Sequence, residues 1–215
     1  MGMDRKEQYN LVLAGFYHDI GKLLAPPDII NKPTKLTVEE MSIVRRAELE
    51  GFDVVKNSFQ LSAGIKRYIS QLRIELINKI PGNAPQAQTL LPGTKILQIA
   101  DMYDILTAMR VYKDPTSEYE AVTFLQSRED LYDEAIVNAL INSINILPPG
   151  CCVELTNGEK GLVLTESPYY PLRPTVLGFN TNHMYDLSQK KIYDTIKIKS
   201  VLKTLDNRFI MKPND

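Results

Sequence analysis

Leu11-Val12-Leu13-Ala14-Gly15-Phe16-Tyr17-His18-Asp19-Ile20-Gly21-Lys22-Leu23-Leu24-Ala25 is the stretch whose reading decides the fold. An apolar run of this kind predicts a helix hydrophobic on nearly all sides, and such a helix is a buried one. His18 and Asp19 stand in the middle of it. An ionised carboxylate left unpaired there is expensive, and it either neutralises or finds a partner. A chain keeps such a pair where a metal, a cation or a catalytic role compensates it. His18 and Lys22 are four apart and Asp19 and Lys22 three apart, so all three head groups can share one helix face.

Outward from this stretch, the period stays helical to about Leu147. Thr37-Val38-Glu39-Glu40 reads as a capping box opening a helix through about Lys56. Ser62 or Ala63 starts another, running to about Ile80 and stopped by Pro81-Gly82. Pro92 suits the first turn of a long apolar helix through Met109. Ser117 caps a short helix, and Leu131 to about Ile144 supplies the last. Pro148-Pro149-Gly150 then breaks the pattern, and the period becomes two.

Val153 and Leu155 flank Glu154, Asn157-Gly158 marks a tight hairpin turn, and Leu162-Val163-Leu164 return. Pro174 to Phe179 and Thr195 to Ile198 read as further strands. The expected fold class is α+β. A mainly helical bundle over residues 1–147 precedes a small antiparallel β subdomain over residues 148–215. The last residues, Lys212-Pro213-Asn214-Asp215, read as a frayed end.

The bulk numbers narrow the function classes. The 215 residues are 44% hydrophobic and 24% charged, the balance of an ordinary globular protein. A net charge of −1 speaks against an extended nucleic-acid surface. No apolar run approaches the length of a membrane span, and the N-terminus lacks the core of a signal peptide. The only cysteines, Cys151 and Cys152, are adjacent and make a poor disulfide, which points to a reducing cytoplasm. The turn residue His183, the strand lysines and Tyr169-Tyr170 all have ordinary surface readings.

A second expensive feature is Ile96-Leu97-Gln98-Ile99-Ala100-Asp101-Met102-Tyr103-Asp104-Ile105-Leu106. Asp104 reads as a cap or a salt-bridge partner. Asp101 is the acid that would complete a site with His18 and Asp19. An imidazole with carboxylates is a ligand set suited to iron, manganese or zinc.

On these residues the chain resembles the HD superfamily of metal-dependent phosphohydrolases, and specifically its HD-GYP branch. Phe16 to Lys22 is similar to the family's signature pair. Asp28-Ile29-Ile30-Asn31-Lys32-Pro33-Thr34-Lys35-Leu36-Thr37 resembles the loop that follows it. Leu91 to Thr107 resembles the helix carrying the last metal-binding aspartate, and Arg110, Tyr112 and Ser117 to Ala121 match its continuation. Leu155 to Glu159 and Arg173 to Val176 are similar to a β tail on many such proteins. The resemblance implies a helical domain whose metal ions activate a hydroxide against a phosphodiester, cyclic di-GMP in most members. It implies His18, Asp19 and Asp101 as metal ligands, with Asp19 and Lys22 at the catalytic centre. Lys22 would neutralise phosphate charge, and Lys32 or Lys35 would contact substrate or brace the loop.

The chain departs from that pattern in ways that bear on activity. Where the family has a histidine four residues before a glycine, Ala47 precedes Gly51. Ile65 to Glu75 has no histidine where a His-His-Glu cluster is expected, and the Gly-Tyr-Pro element is absent. Only 17 residues precede His18, so the upstream ligand is missing too. A relaxed requirement, a shortened chain or a helix supplied by a partner would each account for that. Three ligands suit one metal, not a pair. Arg46, Lys66 or Arg67 could instead place a fixed positive charge where a metal balanced Asp19 and Asp101, leaving no cofactor at all.

Two readings follow. The favoured one is a degenerate HD-GYP domain of bacterial signalling, a pseudoenzyme or weak phosphodiesterase that binds a nucleotide or a signalling protein. The other is a metal-dependent phosphodiesterase working with a reduced His18-Asp19-Asp101 site.

Overall fold

Asp4 opens the first helix by accepting the amide of Glu7 at 2.7 Å, and α1 then runs Arg5–Tyr17. The computed structural model describes residues 2–80, 82–83, 88–109 and 115–202. Pro81, Arg110, Tyr112 and the terminal residues 212–215, all used in the sequence reading, lie outside them.

The expectation of a helix buried all round is not met. Only Asn10 and Ala14 of α1 are buried, while Tyr9, Val12 and Phe16 are 64%, 70% and 78% exposed. At spacings of three and four they form an outward apolar stripe. Nor does the helix run through His18 and Asp19, because it ends at Tyr17 and Ile20–Leu24 form a 3₁₀ turn.

The turn lies against α3, Val38–Asn57, with backbone touching backbone. A Cβ on Gly21 would sit 2.5 Å from Glu48 Cα, and one on Gly51 would sit 2.2 Å from Gly21 Cα. No real side chain tolerates such distances, so the two glycines are what permits the approach. Between these elements comes the short α2, Pro27–Ile30. Thr37 caps α3 as the sequence predicts. Its hydroxyl accepts the Glu40 amide at 3.2 Å, and the Glu40 carboxylate accepts the Thr37 amide at 2.8 Å.

α4, Ala63–Asn78, is capped by Ser62. It packs on α1 and α3 around Ala14, Phe52, Val55, Ile65, Tyr68 and Ile69. Leu97 of α5, Pro92–Thr107, joins the edge of that cluster. Contacts divide the chain into two compact units, Met1–Met102 with Met109–Asp114, and Tyr103–Ala108 with Pro115–Asp215. α5 contributes to both.

The second unit holds α6, Glu118–Ser127, and α7, Glu134–Ser143, two helices that the sequence reading places before its boundary at 147. α7 starts later than Leu131 because the Asp133 carboxylate caps the Ala135 amide at 3.2 Å. The sheet follows the helix-breaking prolines. β1, Cys152–Leu155, and β2, Lys160–Thr165, form the expected hairpin, with Gly158 at a φ of +84° in the turn. β3, Thr175–Gly178, comes next, then β4, Met184–Asp186, which the sequence did not announce. α8, Lys190–Tyr193, extends its hydrogen bonding to Ile196, whose amide donates to Ile192 O at 2.8 Å. The last strand therefore starts at Ile198 rather than Thr195, and β5 spans Ile198–Leu202.

All pairings are antiparallel, in the order β4-β3-β2-β1-β5. Val153, Leu155, Val163 and Val176 point inward from alternate positions. The architecture is the α+β class that the patterns predict. Among the described residues no helix is long and apolar enough to cross a membrane. Cys151 and Cys152 are unpaired, and burial pushes both thiols up, away from reactivity.

Candidate metal centre

His18 caps the C-terminus of α1, and its ring Nδ1 lies 2.6 Å from the Gly15 carbonyl. A carbonyl only accepts, so Nδ1–H donates and the second ring nitrogen, Nε2, is left to face outward. Nε2 is 3.3 Å from Asp19 Oδ1 and 3.4 Å from Asp101 Oδ1. Asp19 follows on the same strand of chain, while Asp101 arrives from α5. One donor atom from each of the three lies within 4.8 Å of the other two. The site is half-buried. The sequence placed the three together, and the structure brings them together, although from a helix end and a turn rather than from one helix face.

The electrostatics of this trio are unbalanced. A neutral imidazole would turn a lone pair towards two carboxylates, which satisfies none of them. A proton on Nε2 or a metal cation among the three resolves it. The Asp101 hydrogen bond pushes the His18 pKa up, opposed by burial and helped by the charge of Asp19 and the Gly15 bond. Burial acts to raise the Asp101 carboxyl, but the hydrogen bond and charge of His18, with Lys22 and Lys79, win and leave it below the usual range. One imidazole nitrogen and two carboxylate oxygens fit iron, manganese or zinc, with waters at the open positions.

Lys22 supplies the positive charge nearest the acids. Its Nζ lies 2.5 Å from Asp19 Oδ2 and 3.8 Å from Glu48 Oε1. The spacing of three from Asp19 survives because a 3₁₀ turn, like a helix, puts residues i and i+3 on one side.

The three residues offered as a replacement for the metal are placed elsewhere. Arg46 and Arg67 are exposed and Lys66 is half-buried, and among the described residues none pairs with Asp19 or Asp101. Helix phase is the reason. Gly51 faces the turn, so Ala47 and Glu48, four and three residues earlier, share its face while Arg46 does not. On α4 the buried positions are Ile65, Tyr68 and Ile69, which leaves Arg67 outside. Lys32 donates to both Glu40 oxygens at 2.7 and 2.9 Å, bracing the loop on the α3 cap. Lys35 is exposed, as is Asp104.

Sequence reasoning missed Glu48. Its side chain is 14% exposed. Burial pushes its carboxyl up, as do the charges of Asp19 and Asp101, against the lowering pull of Lys22. The available signal was its place three residues before Gly51, on the face that must meet the turn.

The family pattern described as HD domain matches residues 1–136 of the chain. A cyclic di-GMP phosphodiesterase of Pseudomonas aeruginosa is 32% identical over 169 residues, covering 78% of this chain and 40% of that protein. A cyclic di-GMP phosphodiesterase response regulator of Xanthomonas campestris is 26% identical over 143 residues, 66% of this chain and 38% of that one. A 3'3'-cGAMP-specific phosphodiesterase of Vibrio cholerae is 29% identical over 121 residues, 54% of this chain and 23% of its own length. The chain thus spans less than half the length of each of these relatives.

Proposed function

The chain belongs to the HD domain family, and on that footing we propose that its helical unit binds one divalent cation and, with it, a cyclic dinucleotide. The cation would be held by His18, Asp19 and Asp101. The observation that carries this reading is the convergence of three donor atoms within 4.8 Å of one another. The relatives' names supply the substrate class, a phosphodiester closed between two nucleotides.

A bound cation would supply an activated water and stabilise negative charge developing on the phosphate. The chain's own groups have separable tasks. The Gly15 carbonyl fixes the tautomer and the aim of His18. Asp19 and Asp101 give the cluster the negative field that concentrates a cation. Lys22 brings an ammonium beside the same cluster, where it can meet a phosphate oxygen. No histidine stands at position 47 or between 65 and 75, and among the described residues His18, Asp19 and Asp101 are the one group of three side chains placed to hold an ion. Turnover is therefore well below that of a two-metal enzyme, and the domain acts chiefly by binding, as part of a cytoplasmic signalling assembly.

A second reading, a phosphodiesterase that turns over efficiently on the reduced site, is favoured by the retention of all three donors in register. Calorimetric titration with Mn²⁺ and cyclic di-GMP, followed by a hydrolysis assay with bis-p-nitrophenyl phosphate and cyclic di-GMP, separates the two. We expect one Mn²⁺ per chain, nucleotide binding that depends on it, and only slow metal-dependent turnover, all lost in His18→Ala. Rapid turnover abolished by that change would establish the second reading. Absence of both metal and nucleotide binding would overturn both.

A further inference from the structure

Lys22 stands between two acids, and only one of them belongs to the candidate metal centre. Its Nζ rests on Asp19 Oδ2 at 2.5 Å, with Glu48 Oε1 3.8 Å away. We propose that Glu48 is a positioning residue, the second carboxylate that takes Lys22 from Asp19 when a divalent cation occupies the site. The inference rests on the single-cation reading above and gives Lys22 and Glu48 a coupled role within it.

The argument is one of charge and reach. Asp19 turns Oδ1 towards His18 and Oδ2 towards Lys22, so an ammonium on Oδ2 draws off charge that a dication on Oδ1 would use, and the two cations repel across one carboxylate. Loading the site therefore loosens Lys22 from Asp19, and where it goes depends on what else is near. Glu48 is there because the Gly21 and Gly51 backbones touch, which seats the 3₁₀ turn directly on this part of α3. Its other basic neighbour, Arg45, is engaged elsewhere, donating to the Lys79 carbonyl at 2.5 Å. Among the described residues Lys22 is the ion-pair partner of Glu48. The small residue beside it, Ala47, is buried and offers no donor of its own. Held by Glu48, the ammonium stays beside the cluster, free to meet a phosphate. Without Glu48 it falls back on Asp19 and competes with the cation.

A double-mutant cycle on the full chain tests this, read by Mn²⁺ titration calorimetry rather than by turnover. Glu48→Gln weakens Mn²⁺ binding about tenfold in the native background, a coupling of ordinary size between two sites. Lys22→Met tightens it. In the Lys22→Met background, Glu48→Gln changes affinity by less than about threefold, because the competitor is gone. Equal weakening in both backgrounds would mean that Glu48 acts on the cation by its own charge, and that outcome overturns the inference while leaving the single-cation reading intact. No effect in the native background overturns it as well. Failure of the native chain to bind Mn²⁺ overturns the reading on which it stands. Glu48→Asp, which keeps the charge but withdraws it by one methylene, loses less than Glu48→Gln and replaces it if thermal melts show that variant unfolded.

Discussion

Two groups of carboxylates in this molecule answer the burial of charge in opposite ways. In the second unit, Glu159 is buried, and its chain supplies a donor for every side of it. Asn180 N, Thr181 N and the Thr181 hydroxyl donate to Oε1 at 3.2, 2.9 and 2.9 Å, and the Tyr185 hydroxyl donates to Oε2 at 2.7 Å. In the first unit, Asp19 and Asp101 face each other across an imidazole with one lysine at the rim. Glu159 is complete by itself and holds a loop. The aspartates converge on one imidazole instead, and Lys22 reaches Asp19 from the side. An acid surrounded by donors of its own chain reads as structure, and an acid facing other acids reads as a site.

The severest way to break the comparison is to move the backbone that sets up the open cluster. Gly51→Ala would place a methyl group 2.2 Å from Gly21 Cα, and no side chain can yield because both partners are main chain. The 3₁₀ turn must lift, at a cost of about 3 kcal/mol, the upper part of the range for overpacking. Asp19 and Lys22 move with it, so Mn²⁺ binding falls together with stability. The hydrogen bonds around Glu159 lie in the other unit and stay as they are. Urea denaturation and Mn²⁺ titration of the same sample check this, and an unchanged urea midpoint would refute the close approach.

Glu159→Gln attacks the closed cluster instead. The amide keeps one acceptor oxygen and turns two hydrogens towards groups that are themselves donors. The loss is about 2 kcal/mol, the range for stranding buried partners of a charged group. Metal binding is untouched. Acid should do the same more gradually. Four donors hold the Glu159 carboxyl below its ordinary value, the Tyr185 hydroxyl first among them despite the opposing pull of burial. A lowered folded-state pKa stabilises the fold above the unfolded value, near 4.5, and that contribution is lost as pH falls through the folded value. Stability of the native chain should therefore drop below about pH 4.5, and the Glu159→Gln chain should show less of that drop. Parallel acid titrations by circular dichroism compare them.

The contrast also explains what could be read from the letters alone. Thr37 with Glu40, Ser62, Pro92 and Ser117 act through local geometry, so the helix starts they imply are where the structure has them. The convergence of His18, Asp19 and Asp101 was legible because acids amid apolar residues need a reason. What was not legible depends on which helix faces meet. Local composition cannot tell that Tyr9, Val12 and Phe16 point outward, or that residues 20–24 wind as a 3₁₀ turn, because both depend on α3 and α4. Glu48 was hidden for the same reason. It lies 26 residues from Lys22 in sequence, and only the Gly21–Gly51 contact makes them neighbours. β4 was missed because three residues, one of them buried, carry too short an alternation to register.

The smallest expected effect on stability is also the one that separates the two kinds of acid most cleanly. Asp101→Asn removes a charge whose side chain is 41% exposed and whose partner, His18, lies 3.4 Å away and is itself partly in water. Half-exposed pairs of this geometry are worth about 0.5 kcal/mol, so the urea midpoint should scarcely move. If Asp101 were structural in the way that Glu159 is, the same kind of change, carboxylate to amide, would shift that midpoint as far as Glu159→Gln does. Its effect on Mn²⁺ should be large instead, a loss of about a hundredfold or more, since even indirect partners of metal ligands are worth 10- to 100-fold. Stability that barely changes beside affinity that collapses is the signature of a residue kept for a cation, and the reverse pattern would place Asp101 with the structural acids.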